Sequence, residues 1–176
     1  MKIKGMIISA FPGTGKTTAA GLMKEAVDLE STPFKFPVDW VNGTTATEEA
    51  EGWVEKYVDQ ITLMASECGY DFVFVSSHQE VRKELRKREI PFISVIPQTD
   101  LRDEYMIRYI SRGNDMEFLR NIYDNWYAWL NEYDEEIFKV IFEEGAHPQE
   151  IVVRLKSGQY VSDLLPLSYL QRGVKP

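Results

Sequence analysis

One cysteine, Cys68, and two histidines, His78 and His147, are all that this 176-residue chain carries in thiols and imidazoles. A lone cysteine excludes a disulfide within the chain and fits a reducing cytoplasm, where the protein is expected, with Cys68 as a small buried hydrophobe. Two distant histidines without a second thiol give a zinc centre little support. No apolar run approaches the roughly 20 residues of a membrane span. Residues 1–8, basic and then apolar, are too short and lack the cleavage site of a secretory leader. Positive charge is scarce too: 20 Lys and Arg against 28 Asp and Glu leave a formal net charge of −8. That balance excludes a broad nucleic-acid surface, which needs clustered, uncompensated cations. There is no internal repeat and no low-complexity segment. With 44% hydrophobic and 27% charged residues, the composition is that of one globular domain over 1–176, able to bury about 70% of its extended surface.

Against these absences stands residues 10–18, Ala-Phe-Pro-Gly-Thr-Gly-Lys-Thr-Thr, directly after the apolar run Met6-Ile7-Ile8-Ser9. This is the pattern [AG]-x-x-x-x-G-K-[ST]. Gly13 and Gly15 let the backbone curl so that successive N–H groups converge as an anion nest at the start of a helix. Lys16 then reaches the β- and γ-phosphates of a nucleoside triphosphate, and Thr17 offers its hydroxyl to Mg²⁺. Pro12, Gly13, Thr14, Gly15, Lys16, Thr17 and Thr18 are therefore the expected ATP-binding residues, with ATP and Mg²⁺ as the expected cofactors.

Hydrophobic periodicity organises the rest. A helix is expected over 16–26, a short strand at Val27-Asp28-Leu29-Glu30, and a proline-broken loop over 31–42 carrying Phe34, Phe36 and Trp40. Those rings either line a pocket or pin the loop to the core. An amphipathic helix is expected over 47–68, then the apolar strand Phe72-Val73-Phe74-Val75. Ser77-His78-Gln79-Glu80 matches a capping box, opening a helix to about Glu89. A strand at 92–96, helices at 101–111 and 116–133, acidic residues through Glu144, a strand at 151–155 and a tail from Pro166 complete the chain. Five apolar strands alternating with helices predict an α/β, three-layer fold with a five-stranded parallel sheet. Segments 10–17, 28–31, 76–78, 97–98 and 157–159 then follow strand C-termini and should face one cleft.

Phosphoryl transfer needs positioning, Mg²⁺ and positive charge on the transferred group. Arg108 and Arg112, at i and i+4 with Arg102 nearby and Gly113 behind, suit a helical lid over about 98–115 that clamps a phosphate; alternatively they answer Asp103 and Glu104 as exposed ion pairs. The basic run Arg82, Lys83, Arg86, Lys87, Arg88 reads as a solvated helix face, with Arg82 in the first turn able to meet a substrate phosphate. The strand 72–75 ends in Ser76-Ser77 where many ATPases carry a metal-side carboxylate, so Asp28, at i and i+2 with Glu30, is the candidate for that role. No Asn-Lys-x-Asp motif is present, which excludes a small GTPase.

The phosphate loop at 10–17, Asp28-Leu29-Glu30-Ser31, Val73-Phe74-Val75-Ser76-Ser77-His78, the arginines over 102–113 and Ser157-Gly158-Gln159-Tyr160 come in the order found in small phage- or prophage-type P-loop kinases, which the chain resembles over about residues 3–165. These are similar to nucleoside monophosphate kinases. The resemblance implies a P-loop NTPase fold with an Arg-bearing lid, catalytic roles for Lys16, Asp28, Arg108 and Arg112, and metal binding through Thr17 and Asp28. It further implies adenine binding at Ser157 and Gly158, with acceptor binding by Glu30, Ser31, Phe34, Ser76, His78 and Arg82. The chain departs from that kinase pattern where Asp-Gly-x-Pro-Arg is usual and Ser76-Ser77-His78-Gln79-Glu80 stands. The expected reaction is ATP-dependent phosphorylation of a small acceptor, a nucleotide or deoxynucleoside monophosphate; the alternative is a P-loop ATPase or non-catalytic nucleotide-binding protein acting on a protein partner.

Overall fold

The computed structural model describes residues 3–39, 41–139 and 149–165; Trp40, Glu144, His147 and the tail from Pro166 lie outside them. The sheet strands are β1 (Met6–Ala10), β2 (Ala26–Asp28), β5 (Phe72–Val75), β6 (Phe92–Pro97) and β7 (Glu150–Leu155), and they pair in the order β2-β5-β1-β6-β7, all parallel. The chain therefore leaves β1 toward one sheet edge and later returns to build the other. The cleft opens where that order reverses, at the carboxyl end of β1.

Successive strand residues divide between two cores. Ile7, Val73 and Val75 pack with Tyr57, Val58 and Ile61 of α3 (Trp53–Ser66) and Val81 and Leu85 of α4 (Gln79–Lys87). Ile8, Ala10, Phe72 and Phe74 pack on the other face with Ala19 of α1 (Lys16–Gly21) and with Val161. The sheet is covered on both sides, and its strands read as continuous apolar runs for that reason. A third cluster joins Phe11 and Ile96 to α5 (Arg102–Ser111) and α6 (Met116–Phe138) through Tyr105, Tyr109 and Trp126. Among the described residues no helix is long and apolar enough to cross a membrane.

Several boundaries differ from the sequence expectation. α1 stops at Gly21, well short of 26, because the chain must turn into β2. α3 begins at Trp53 after Gly52, which holds φ 68° and so breaks the helix expected from 47. The proline-broken loop contains a short helix, α2 (Thr32–Lys35), and a small hairpin of β3 (Val38–Asp39) and β4 (Thr44–Thr45). α6 continues five residues beyond 133, to Phe138. The capping box does not form: His78 caps α4 with extended backbone and no side chain closes the cap. Cys68 is exposed rather than buried.

The basic run on α4 is a solvated face only at Lys83 and Lys87, which are exposed. Arg82 is 1% exposed. Its guanidinium pairs with Glu132, with Glu136 at 3.1 Å and with Glu150 at 3.2 Å, and lies 3.6 Å over the Tyr133 ring. Arg86 pairs with Glu136 and Glu150, and Arg88 with Glu84 and Asp59. Ser94 donates to Glu150. Arg82 and Arg86 bind α4 to α6 and β7, and Arg88 binds it to α3.

Candidate phosphate-binding cleft

Between β1 and α1 the loop is shaped by where its carbonyls go. Ala10 C=O accepts from Lys16 Nζ at 2.9 Å, and Phe11 C=O from the Thr14 hydroxyl at 2.7 Å. Pro12 C=O accepts from the Tyr109 hydroxyl at 2.7 Å, Gly13 C=O from Arg108 at 3.2 Å, and Thr14 C=O from Val161 N–H at 2.9 Å. The N–H groups of Gly13, Gly15 and Lys16 donate in none of these bonds, and all three residues line the cleft. A curled loop whose carbonyls are engaged while these amides are not is suited to act as an anion nest. Gly13 (φ 78°) and Gly15 (φ 90°) sit in the left-handed region, and any Cβ at Gly13 would come within 2.7 Å of the Tyr109 ring. A side chain fits neither the backbone nor the space.

The cleft encloses about 910 Å³. Pro12, Gly13, Gly15, Lys16, Thr17 and Thr18 form its floor. Glu30, Ser31, Ser76 and His78 form one wall, and Arg108, Arg112 and Gly158 the other. Burial pushes the Lys16 ammonium below its ordinary value, opposed by the nearby carboxylates of Asp28 and Glu30. An anion in the cleft would relieve that desolvation.

The Thr17 hydroxyl donates to Asp28 Oδ2 at 2.6 Å, while Asp28 Oδ1 is buried without a hydrogen-bond partner. A hydroxyl and a carboxylate joined at the mouth of the nest, with one oxygen left over, is a donor set suited to Mg²⁺ and its water shell. Among the described residues no group of three His, Cys, Asp or Glu could hold a metal by itself, so the phosphates would have to complete the coordination.

At the end of β5, the Tyr57 hydroxyl donates to Leu29 C=O at 2.5 Å and accepts from Ser76 N–H at 3.0 Å. It ties the exits of β2 and β5 together, and burial pushes its own ionisation up to about 12. His78 packs edge-on to Trp53, with ring centroids 5.7 Å apart. Burial holds its imidazole below the usual histidine range, with Lys35 adding to the effect. His78 Nδ1 and Ser76 Oγ are both buried and unpartnered.

Five expected residues take other places. Thr14 is buried inside the loop it shapes. Ser157 donates to Glu104 at 2.7 Å and does not line the cleft. Phe34 packs on Tyr57, 5.2 Å between centroids, pinning its loop to the core. Arg82, engaged by three carboxylates, has no charge to spare for a substrate phosphate. Asp28 does not itself line the cleft and touches it through Thr17. Residues 97–98 also stay out, because β6 runs straight into a 3₁₀ turn, Thr99–Leu101, whose Thr99 C=O accepts from Trp126 at 2.7 Å.

The two arginines expected in a lid differ. Arg108 pairs with Glu104 at 2.5 Å, donates to Gly13 and Gln159 carbonyls, and stacks between Tyr105 and Tyr160. Glu104 also accepts from Gly158 N–H at 3.0 Å, and these bonds hold its carboxyl below the ordinary range. Arg112, one turn on, lines the cleft. Tyr105 and Tyr109, both fully buried, anchor α5 against the phosphate loop. Sequence reasoning missed this anchor; its signal was two tyrosines at i and i+4 on the helix face opposite solvent. Compared with known proteins, the chain matches no protein-family model and no curated protein sequence.

Proposed function

We propose that the chain is an ATP-dependent P-loop kinase that transfers the γ-phosphoryl group to a small acceptor of the nucleotide type, a deoxynucleoside or its monophosphate. The observation that carries this reading is the loop itself: engaged carbonyls, Gly13, Gly15 and Lys16 amides that take no part in those bonds, and a desolvated Lys16 beside a Thr17–Asp28 pair. The sheet order, with its reversal beside β1, is compatible with a P-loop NTPase fold.

In this reading the nest and Lys16 hold the β- and γ-phosphates, and Thr17 and Asp28 hold Mg²⁺, which neutralises charge on those phosphates. Arg112 faces the transferred group from the opposite wall, where cationic charge is worth most as the bond to the leaving oxygen lengthens. Arg108 holds the loop's Gly13 and the 157–160 turn in place. A second reading, an ATPase coupled to a protein partner, needs no acceptor room; the wall formed by Glu30, Ser31, Ser76 and His78 favours the kinase.

Thermal unfolding with and without Mg-ATP tests the nest. A ligand at 100 times its Kd adds about 2.7 kcal/mol to the folded state, so the wild type should melt several degrees higher with millimolar Mg-ATP, and Lys16→Ala should not. No shift in the wild type, or an equal shift in the variant, refutes the nest.

A further inference from the structure

Beside the cleft lies a second chamber of about 510 Å³. The two share Pro12, Ser77, His78 and Phe118, so the chamber opens at the phosphate loop itself. Its walls are apolar and mostly aromatic: Phe11, Ile122, Trp129 and Tyr133. Its one cation, Arg82, is neutralised by Glu132, Glu136 and Glu150. The other ionisable lining groups besides His78 and Tyr133 are the carboxylates Glu80 and Glu132. A phosphate or carboxylate placed here would meet negative charge with no cation free to answer it.

Two carboxamides complete the chamber. Asn121 accepts from Asn125 through its Oδ1 and keeps its own N–H groups, whereas Gln79 donates to Glu136 and keeps its carbonyl oxygen. A donor and an acceptor over aromatic walls suit the edge and faces of a planar heterocycle. The volume falls in the usual range for small-molecule sites.

We propose, resting on the kinase reading above, that this chamber seats the acceptor and that the acceptor is an unphosphorylated nucleoside. Its base lies between the aromatic walls, and its sugar projects past Pro12 toward the nest. There Ser76 and His78, which line the cleft, flank the sugar. The attacking hydroxyl oxygen bonds to the γ-phosphorus of ATP as the bond from that phosphorus to the β,γ-bridging oxygen breaks. ADP leaves with that oxygen, and the hydroxyl proton passes to Glu30, which lines the cleft, and on to water. Asp28 then serves the metal side and Glu30 the acceptor side.

The test is coupled ADP release with Mg-ATP and the common ribo- and deoxynucleosides, each beside its 5′-monophosphate. At least one nucleoside should raise ADP release about a hundredfold over the rate with ATP alone, and its monophosphate should be at least tenfold poorer in kcat/KM. Asn121→Trp, an exposed position on the chamber rim, should raise the nucleoside KM at least tenfold and leave the Mg-ATP melting shift unchanged. Turnover with monophosphates in preference, turnover with neither, or an unchanged KM in Asn121→Trp overturns the nucleoside chamber. The kinase reading itself fails separately, through absence of the Mg-ATP shift.

Discussion

Thr17 and Asp28 are joined at 2.6 Å, hydroxyl to carboxylate, across the gap between the first turn of α1 and the end of β2. The strand after the phosphate loop thereby supplies the carboxylate that the end of β5 lacks. Asp28→Asn should lower kcat about tenfold or more and raise the Mg²⁺ concentration for half-maximal rate, while ATP binding in the melting assay falls far less than in Lys16→Ala. Titrating rate against Mg²⁺ at saturating ATP checks this; an unaltered Mg²⁺ dependence removes Asp28 from the metal side.

Arg112 and Arg108 should separate kinetically. Arg112→Ala is expected to lower kcat by about 10²-fold with little change in the KM for ATP, as for a contact made mainly in the transition state. Arg108→Ala should instead loosen the loop and the 157–160 turn together, raising the KM for ATP and lowering the melting temperature. Equal effects of the two substitutions on both constants would contradict the division.

The Glu104 carboxyl, held below its ordinary value by Ser157, Gly158 and Arg108, sets a pH dependence whose sign follows from its direction. A lowered carboxyl stabilises the fold above the ordinary glutamate value of 4.5 and loses that stabilisation as pH falls through its folded value. Glu104→Gln should be about 1 kcal/mol less stable at pH 7 by urea unfolding, a figure limited by solvent screening. The gap should close below pH 4.5; a gap independent of pH would mean the bonds do not depend on the charge.

Arg82→Met tests the buried network. Removing Arg82 takes the guanidinium from Glu132 and leaves Glu136 and Glu150 with Arg86 alone, at a cost of about 3–5 kcal/mol. The Mg-ATP melting shift should persist in whatever fraction folds. Loss of the shift at unchanged stability would return Arg82 to a phosphate-binding role.

The parts legible in the sequence were those whose cause is local. The strand Phe72–Val75 was readable because burial on both faces makes a continuous apolar run, and the nest because glycine spacing dictates its curl. The Arg108–Glu104 pair was readable as an i, i+4 alternative. Arg82 was not, since its partners Glu132 and Glu150 lie 50 and 68 positions away. Nor was the second chamber, whose walls come from the phosphate loop, α4 and α6 and meet only in the folded chain.

The carbonyls of Pro12, Gly13 and Thr14 are fastened by Tyr109, Arg108 and Val161, and the Tyr160 ring lies over Gly15 at a distance a Cβ would close to 3.0 Å. The motif is written in nine consecutive residues, yet its working shape is supplied by parts of the chain made roughly a hundred and a hundred and fifty residues later. During synthesis the loop therefore emerges early as sequence and late as a receptor. If the chain binds ATP as proposed, its capture would report that the 157–161 turn has docked, and a folding intermediate with its sheet assembled but that turn undocked would be unable to hold nucleotide.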